Sequence, residues 1–171
     1  MEFKDLIRTL ADEVGFEDGL VPDEDGVVRI ASEKTTGIAF MEVPESRSLV
    51  MWSRIGELPV HGTEGLKDAL LKANFMGQAT VGGALSLSED GGIYFHRMLQ
   101  LDQTDGDGFM EAVTAFVQAS VNLNRLITEN AYQAAVRPDE PSEWGRAEGM
   151  ELPPPDFTAI PGLGNPNFIQ V

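Results

Sequence analysis

The stretch over residues 63–101 constrains the fold of this chain most, because a helical period of apolar residues changes there into a strand period. Apolar residues at spacings of three and four predict a short helix, and Gly77 follows as a residue that readily adopts the left-handed conformation ending a helix. From Ala84 the residues alternate at period two, and the glycine-containing segment 89–92 provides a hairpin turn into a return strand. The stretch therefore predicts a helix followed by an antiparallel hairpin, and we expect its surface to pair with another chain.

The flanking segments predict the remaining elements of an α+β protein with the order α-β-β-β-α-β-β-α. An apolar period of three and four predicts an amphipathic helix over residues 3–14. Alternating segments at 27–32, 37–43 and 48–58 predict three strands, and their direct succession indicates an antiparallel meander. A long helix is predicted over residues 108–135, and its wide apolar stripe favours packing on the sheet over a coiled coil.

The composition changes at residue 137, and we divide the chain there into an α+β domain, 1–136, and a Pro/Gly-rich extended tail, 137–171. The tail contains seven of the ten prolines, which is typical of an extended segment. We expect it to lie over an apolar groove of its own or a neighbouring subunit, in place of a ligand; the alternative is a passive appendage. Apolar residues expected to anchor the tail are Phe157, Ile160, Leu163, Phe168 and Ile169.

The charge of the chain is strongly negative, with 12 Lys and Arg against 28 Asp and Glu, a formal net charge of -16 and a pI near 4.3. Such a charge repels nucleic acid and anionic membrane surfaces. There is no cysteine, so neither a disulfide framework nor a thiolate zinc site is possible. Because the N-terminus lacks the features of a signal peptide and no apolar run has membrane-spanning length, we expect a cytoplasmic protein.

The sequence offers little support for catalysis. Neither His61 nor His96 has a sequence-local partner that would define a triad. The acidic loops at 22–26 and 102–108 lack the later ligands of an EF-hand, and capping of a helix by an aspartate is the better interpretation of the second loop. We therefore expect no catalytic residue, no cofactor and no metal site. An acidic enzyme or small-molecule sensor on the same scaffold stays the alternative.

The helix at 63–74 also predicts an oligomer, because its apolar face exceeds what one flanking strand covers. We expect a twofold homodimer in which this helix and the strand at 84–88 meet their copies, since closed pairing is the commonest oligomer geometry. The residues expected at the dimer interface are Leu66, Leu70, Ala73, Phe75, Leu85 and Leu87.

The element order and three phrases resemble the small acidic chaperones of type III secretion, the class I or Tir-chaperone (CesT-like) family. Residues 48–59 are similar to the family's third strand, which ends in a Gly-x-x-Pro element. The phrase Leu-Leu-Lys-Ala-Asn at residues 70–74 resembles the family's Leu-Leu-x-Ala-Asn signature. Two glycines, Gly82 and Gly83, precede a hairpin like the one that follows in the family.

This resemblance covers roughly residues 3–129 and implies a dimeric chaperone that binds the extended N-terminal region of a secreted effector protein without ATP. Such a protein offers unpaired strand edges and an apolar groove to its partner. The alternative is a YbjN-like sensor or regulatory domain, or a small-molecule-binding protein, on the same scaffold. The residues expected to line the groove are Ile30, Ile38, Phe40, Met51 and Trp52.

Overall fold

The order of helices and strands agrees with the prediction in the computed structural model, which describes residues 1–32, 35–60, 63–75, 80–136 and 168–170. The predicted α-β-β-β-α-β-β-α succession is confirmed, and a short strand from the tail is added to it. The elements are α1 (Phe3–Val14), β1 (Val27–Ser32), β2 (Thr35–Val43), β3 (Ser48–Glu57), α2 (Thr63–Asn74), β4 (Ala84–Leu87), β5 (Gly92–Gln100), α3 (Gly106–Val136) and β6 (Phe168–Gln170).

The strands form one antiparallel sheet with the order β4-β5-β3-β2-β1-β6. The meander β1-β2-β3 is extended on the β3 side by the hairpin β4-β5. The strand β6 is added on the β1 side. We call the outer side of β4 the β4 edge. We call the side of β1 that faces away from β2 the β1 edge, and β6 pairs with this edge.

The inner face of the sheet packs against the helices and forms the core. The ring of Phe40 meets that of Phe109 on α3 edge-on, with centroids 6.2 Å apart, and Phe95 stacks on Phe116 at 4.5 Å. Burial of each large apolar side chain stabilises the fold by about 1.5–3 kcal/mol. The buried residues of the inner face are Val28, Ile30, Ile38, Phe40, Leu49, Met51, Ile55, Ile93 and Phe95.

The long helix α3 covers this sheet as its apolar stripe predicts. Its N-terminus is capped by Asp105, whose Oδ1 accepts a hydrogen bond from the backbone N–H of Gly108 at 2.9 Å, which confirms the capping interpretation of the acidic loop. The apolar stripe of α3 is buried within the subunit, so it is not available to form a coiled coil with another helix. Its members are Phe109, Val113, Phe116, Ser120, Leu123 and Ile127.

Gly56 is the second-to-last residue of β3, within the strand predicted over residues 48–58. The residue lies inside β3, at an irregularity where the register to β5 shifts between Arg54 and Gly56. A Cβ atom at Gly56 would come within 2.8 Å of the Cγ2 atom of Ile127, so the glycine allows close contact between α3 and the strand. The side chain of Asn124 donates to the carbonyl of Ile55 at 2.7 Å, at this irregular point of the strand.

Candidate partner-binding surfaces

The face of the sheet opposite the core carries a band of partly exposed apolar and aromatic side chains, which we call the open face. Opposed residues of antiparallel strands share a face. One row across β2, β3 and β5 is Met41, Val50 and Met98, and the next row contains Trp52 and His96. Met98 is 54% exposed. The open face thus combines a flexible thioether surface with aromatic rings, which suits contact with apolar side chains of varied shape.

The residues predicted to line the groove divide between the two faces. Of the predicted groove residues, Trp52 alone belongs to the open face, and the other four point into the core. Val50 and Met98 were missed, although Val50 alternates with Trp52 at period two in the sequence. The groove itself stays a prediction. The residues assigned to the core by their burial are Ile30, Ile38, Phe40 and Met51.

The β4 edge of the sheet is closed by one side chain. Asn74, the last residue of α2, lies beside Leu85 in the middle of β4. Its Oδ1 atom accepts from the backbone N–H of Leu85 at 2.7 Å, and its Nδ2 atom donates to the carbonyl of Leu85 at 3.0 Å. The amide of Asn74 therefore replaces a neighbouring strand at this point, and it prevents another strand from pairing with Leu85.

The β1 edge is covered differently, by backbone pairing with β6. The antiparallel register pairs Ile30 with Gln170, Ala31 with Ile169, and Ser32 with Phe168. Two of the predicted tail anchors thus lie in a strand on the edge of the sheet. The other three lie outside the described residues, and their role stays a prediction: Phe157, Ile160 and Leu163.

The residues predicted at the dimer interface also divide into two groups. Phe75 at the end of α2 is 75% exposed, and Leu87 at the end of β4 is 42% exposed. Leu71 on α2 was not predicted and is 70% exposed. Ala73 packs partly against the core. The dimer stays a prediction. The exposed apolar side chains of the subunit that could form its interface lie near the end of α2. The predicted interface residues that are buried within the subunit are Leu66, Leu70 and Leu85.

A cavity of about 450 Å³ lies between α1 and the loop that follows it. Its apolar lining includes Phe3, Ile7 and Phe16, and its charged lining includes Arg8 and Asp12. Charges of both signs line this cavity, so it has no strong preference for a charged ligand.

The histidine and the acidic loops that the sequence offered as candidates for chemistry can be placed in the structure where it describes them. His96 has Ser86 as a neighbour, with 3.5 Å between Nδ1 and the hydroxyl oxygen, and it lies on the open face. His61 lies outside the described residues. Asp23 in the first acidic loop accepts from the backbone N–H groups of Asp25 and Val27, which makes the loop a turn. Within the described part of the chain, no group of three or more His, Asp or Glu side chains could hold a metal ion.

Two aspartates have pKa values below the ordinary value of the carboxyl group. The pKa of Asp90 is lowered by hydrogen bonds from the hydroxyl of Ser88 and the backbone N–H of Gly92, and further by Arg54. That of Asp102 is lowered by the guanidinium of Arg47, whose Nη2 atom lies 2.7 Å from Oδ1. Both aspartates are exposed and connect the ends of strands to neighbouring loops.

No helix in the described ranges is long and apolar enough to cross a membrane.

Comparison with known proteins gives a family and a fold. A model of the Tir chaperone protein (CesT) family matches residues 5–124. A chain of the ExsC–ExsE complex superimposes with a TM-score of 0.64 at 17% identity, covering 74% of this chain and 97% of that chain. A chain of the HopA1–SchA chaperone–effector complex gives 0.59 at 13%, covering 72% and 93%. The type III secretion chaperone structure of Yersinia pestis SycH with a fragment of YscM2 gives 0.54 at 24%, covering 70% and 98%. No curated protein matches the chain.

Proposed function

Because the family model matches residues 5–124, the chain belongs to the Tir chaperone protein (CesT) family, and we propose that it is a cytoplasmic chaperone of a type III secretion effector. It binds the extended N-terminal region of that effector and uses no ATP. The observation that carries this proposal is the combination of an edge strand that accepts an extended segment with a partly exposed apolar face on the same sheet.

The two surfaces contribute different parts of the binding. An extended segment gains main-chain hydrogen bonds from a sheet edge, and these bonds do not depend on its sequence. Specificity comes from side chains that contact the open face, where Trp52 and Met98 provide aromatic and thioether surface. A partner held in this way stays unfolded along its length.

The proposed chaperone is a homodimer formed through the end of α2. Phe75 and Leu71 present large exposed apolar side chains there, and a twofold axis would bury each against its copy. Because Asn74 occupies the backbone groups of Leu85, the two β4 edges do not form a continuous ladder at that residue. The interface is therefore made by side chains.

The negative charge supports this role. Exposed apolar surface and strand edges favour self-association, and a net charge of -16 opposes it by mutual repulsion. The charge also favours partner segments with basic residues, because opposite charges raise the rate of encounter.

The test is the capture of the partner by the full chain in its native cell, followed by native mass spectrometry. We expect two copies of the chain with one secreted polypeptide, and loss of the complex when the N-terminal region of that polypeptide is deleted. Met98→Glu should reduce capture by roughly tenfold or more, because a charge would be buried against the partner.

The matched control is Val121→Glu, which places the same charge at an exposed apolar position of α3, outside the open face. It should leave capture unchanged. A bound metabolite or ion without any polypeptide would contradict the proposal and favour a small-molecule-binding protein.

A further inference from the structure

We propose that β6 is an internal placeholder on the β1 edge, which occupies backbone positions that the extended segment of an effector takes when it binds. This inference rests on the proposed function and adds a control step to it. The chain's own C-terminal strand has to leave before a partner strand pairs with β1.

The hydrogen-bonding groups on the β1 edge show which positions are available. At the beginning of β1, both backbone groups of Val27 already have hydrogen-bond partners. The N–H of Val27 donates to Oδ1 of Asp23 at 2.9 Å, and the carbonyl of Val27 accepts from the backbone N–H of Asp23 at 2.9 Å. In an antiparallel strand, groups that point to the same side recur at every second residue. The next outward-pointing groups are therefore those of Arg29 and Ala31.

Among the described residues, β6 covers the second of these two positions. Ala31 pairs with Ile169 at the centre of the ladder that the structure describes. In this register the residue opposite Arg29 is Val171, which lies outside the described residues. An extended partner that runs along β1 needs the outward groups of Ala31 that β6 occupies, so the two compete for the same edge.

In this proposal β6 is a removable cover. The ladder among the described residues has three pairs, and it contributes few hydrogen bonds of about 0.5–1.5 kcal/mol each. It holds the edge because it belongs to the same chain, which gives it an effective concentration on the order of millimolar. A partner that adds side-chain contacts with the open face to its main-chain pairing displaces β6, whereas an unrelated strand at low concentration does not.

The first experiment measures amide hydrogen exchange of β1 in the full chain. Ile169→Pro removes the backbone N–H at the centre of the ladder, and Ala159→Pro, the matched control, adds a proline to the tail outside β6. We expect exchange in the peptide that covers β1 to rise by roughly fivefold or more in Ile169→Pro and to stay unchanged in Ala159→Pro. Exchange in β3 should be equal in all three proteins. Equal exchange of β1 in Ile169→Pro and the unaltered chain would overturn the inference.

The second experiment tests competition, with a labelled synthetic peptide of residues 162–171 added to the full chain. Ile169→Pro should bind this peptide with a Kd roughly threefold to tenfold lower than the unaltered chain, because its own tail no longer competes. A peptide with proline at the same position should not bind. Equal Kd values for the two proteins would contradict the placeholder.

The outcomes separate this inference from the proposed function. Normal capture of a secreted polypeptide, together with unchanged β1 exchange in Ile169→Pro, would refute the placeholder inference and support the chaperone function. The expected exchange and peptide binding without any captured polypeptide would refute the chaperone function and support an internal cover of the sheet edge. Protection of β1 that falls on dilution would assign the strand to a neighbouring copy and overturn the internal arrangement.

Discussion

The two edges of the sheet are closed in different ways. On the β4 edge, Asn74 bonds both backbone groups of Leu85 from the end of a helix that packs against the same hairpin. On the β1 edge, a three-residue strand from the far end of the chain forms the cover. A side chain fixed on a packed helix stays in place as long as the subunit is folded, whereas a strand at the end of a long tail is removable without unfolding the core. In our proposal, the β1 edge, and not the β4 edge, therefore serves an exchangeable partner.

The largest effect is expected from Gly83→Ala, immediately before β4, where the backbone lies against β5. A Cβ atom there would lie 2.5 Å from the carbonyl oxygen of His96 and 2.6 Å from the ring of Phe95, so the backbone of β4 has to move away from β5. We expect a loss of about 3 kcal/mol, the upper end of the usual range for overpacking, in the free energy of unfolding measured by urea denaturation.

The control for this substitution is Gly106→Ala at the start of α3. A Cβ atom at Gly106 would meet no atom closer than 3.8 Å, and alanine favours a helix. The control should be neutral or slightly stabilising. Similar losses for both variants would show that the close contact at Gly83 is not the cause.

A smaller effect is expected from removing the side-chain closure of the β4 edge. Asn74→Ala leaves the partly buried N–H and carbonyl of Leu85 without their partner, and unsatisfied groups of this kind cost about 1–3 kcal/mol. The variant should also aggregate faster, because the open edge accepts other strands. Denaturation and light scattering measure the two consequences.

The matched control is Lys72→Ala, an exposed position on the same helix, which should change stability by less than about 0.5 kcal/mol. If Asn74→Ala is as stable and as soluble as this control, then the amide does not close the edge and the contrast between the two edges fails.

The proposed dimer forms through side chains next to the β4 edge and not through the backbone groups of the edge itself. Phe75→Glu should convert the dimer to a species of 18.6 kDa in light scattering, since it places a charge in an apolar interface. The free energy of unfolding of the single subunit should change by less than about 0.5 kcal/mol, because the side chain is 75% exposed. Val121→Glu controls for the added charge and should stay dimeric.

The smallest effect concerns the turn between β4 and β5, where Asp90 has a lowered pKa. A carboxyl group whose pKa is lower in the folded than in the unfolded state stabilises the fold at pH values above its ordinary pKa of 3.8. This stabilisation is lost as the pH falls through the folded pKa. Asp90→Asn should therefore be slightly less stable than the unaltered chain at pH 7, and this difference should disappear in acid. Denaturation curves between pH 7 and strong acid measure it.

Glu89→Gln removes a charge from the same turn and controls for the change in net charge. A difference between Asp90→Asn and the unaltered chain that persists unchanged in acid would exclude the hydrogen-bonded carboxylate as its cause.

Much of this fold was predictable from local patterns. The apolar period of α1 and its closing Gly15, which has a φ of 81°, follow from nearest-neighbour chemistry along the helix. The stripe of α3 and the cap at Asp105 were predictable for the same reason. The site was less predictable. In β3, Met51 and Trp52 are both large and apolar, and alternation assigns them to opposite faces without saying which face the helices cover.

The helices, the strands and their order were predictable from the residues, because each follows from a spacing of two, three or four positions within one segment. The sequence also determined the negative charge and the absence of cysteine chemistry. Three features are visible only in the folded chain: Asn74 closes one edge, β6 covers the other, and Trp52 lies on the open face while Met51 lies in the core. Each of these contacts joins segments distant in the chain, and which segments meet depends on how the helices and strands pack as a whole.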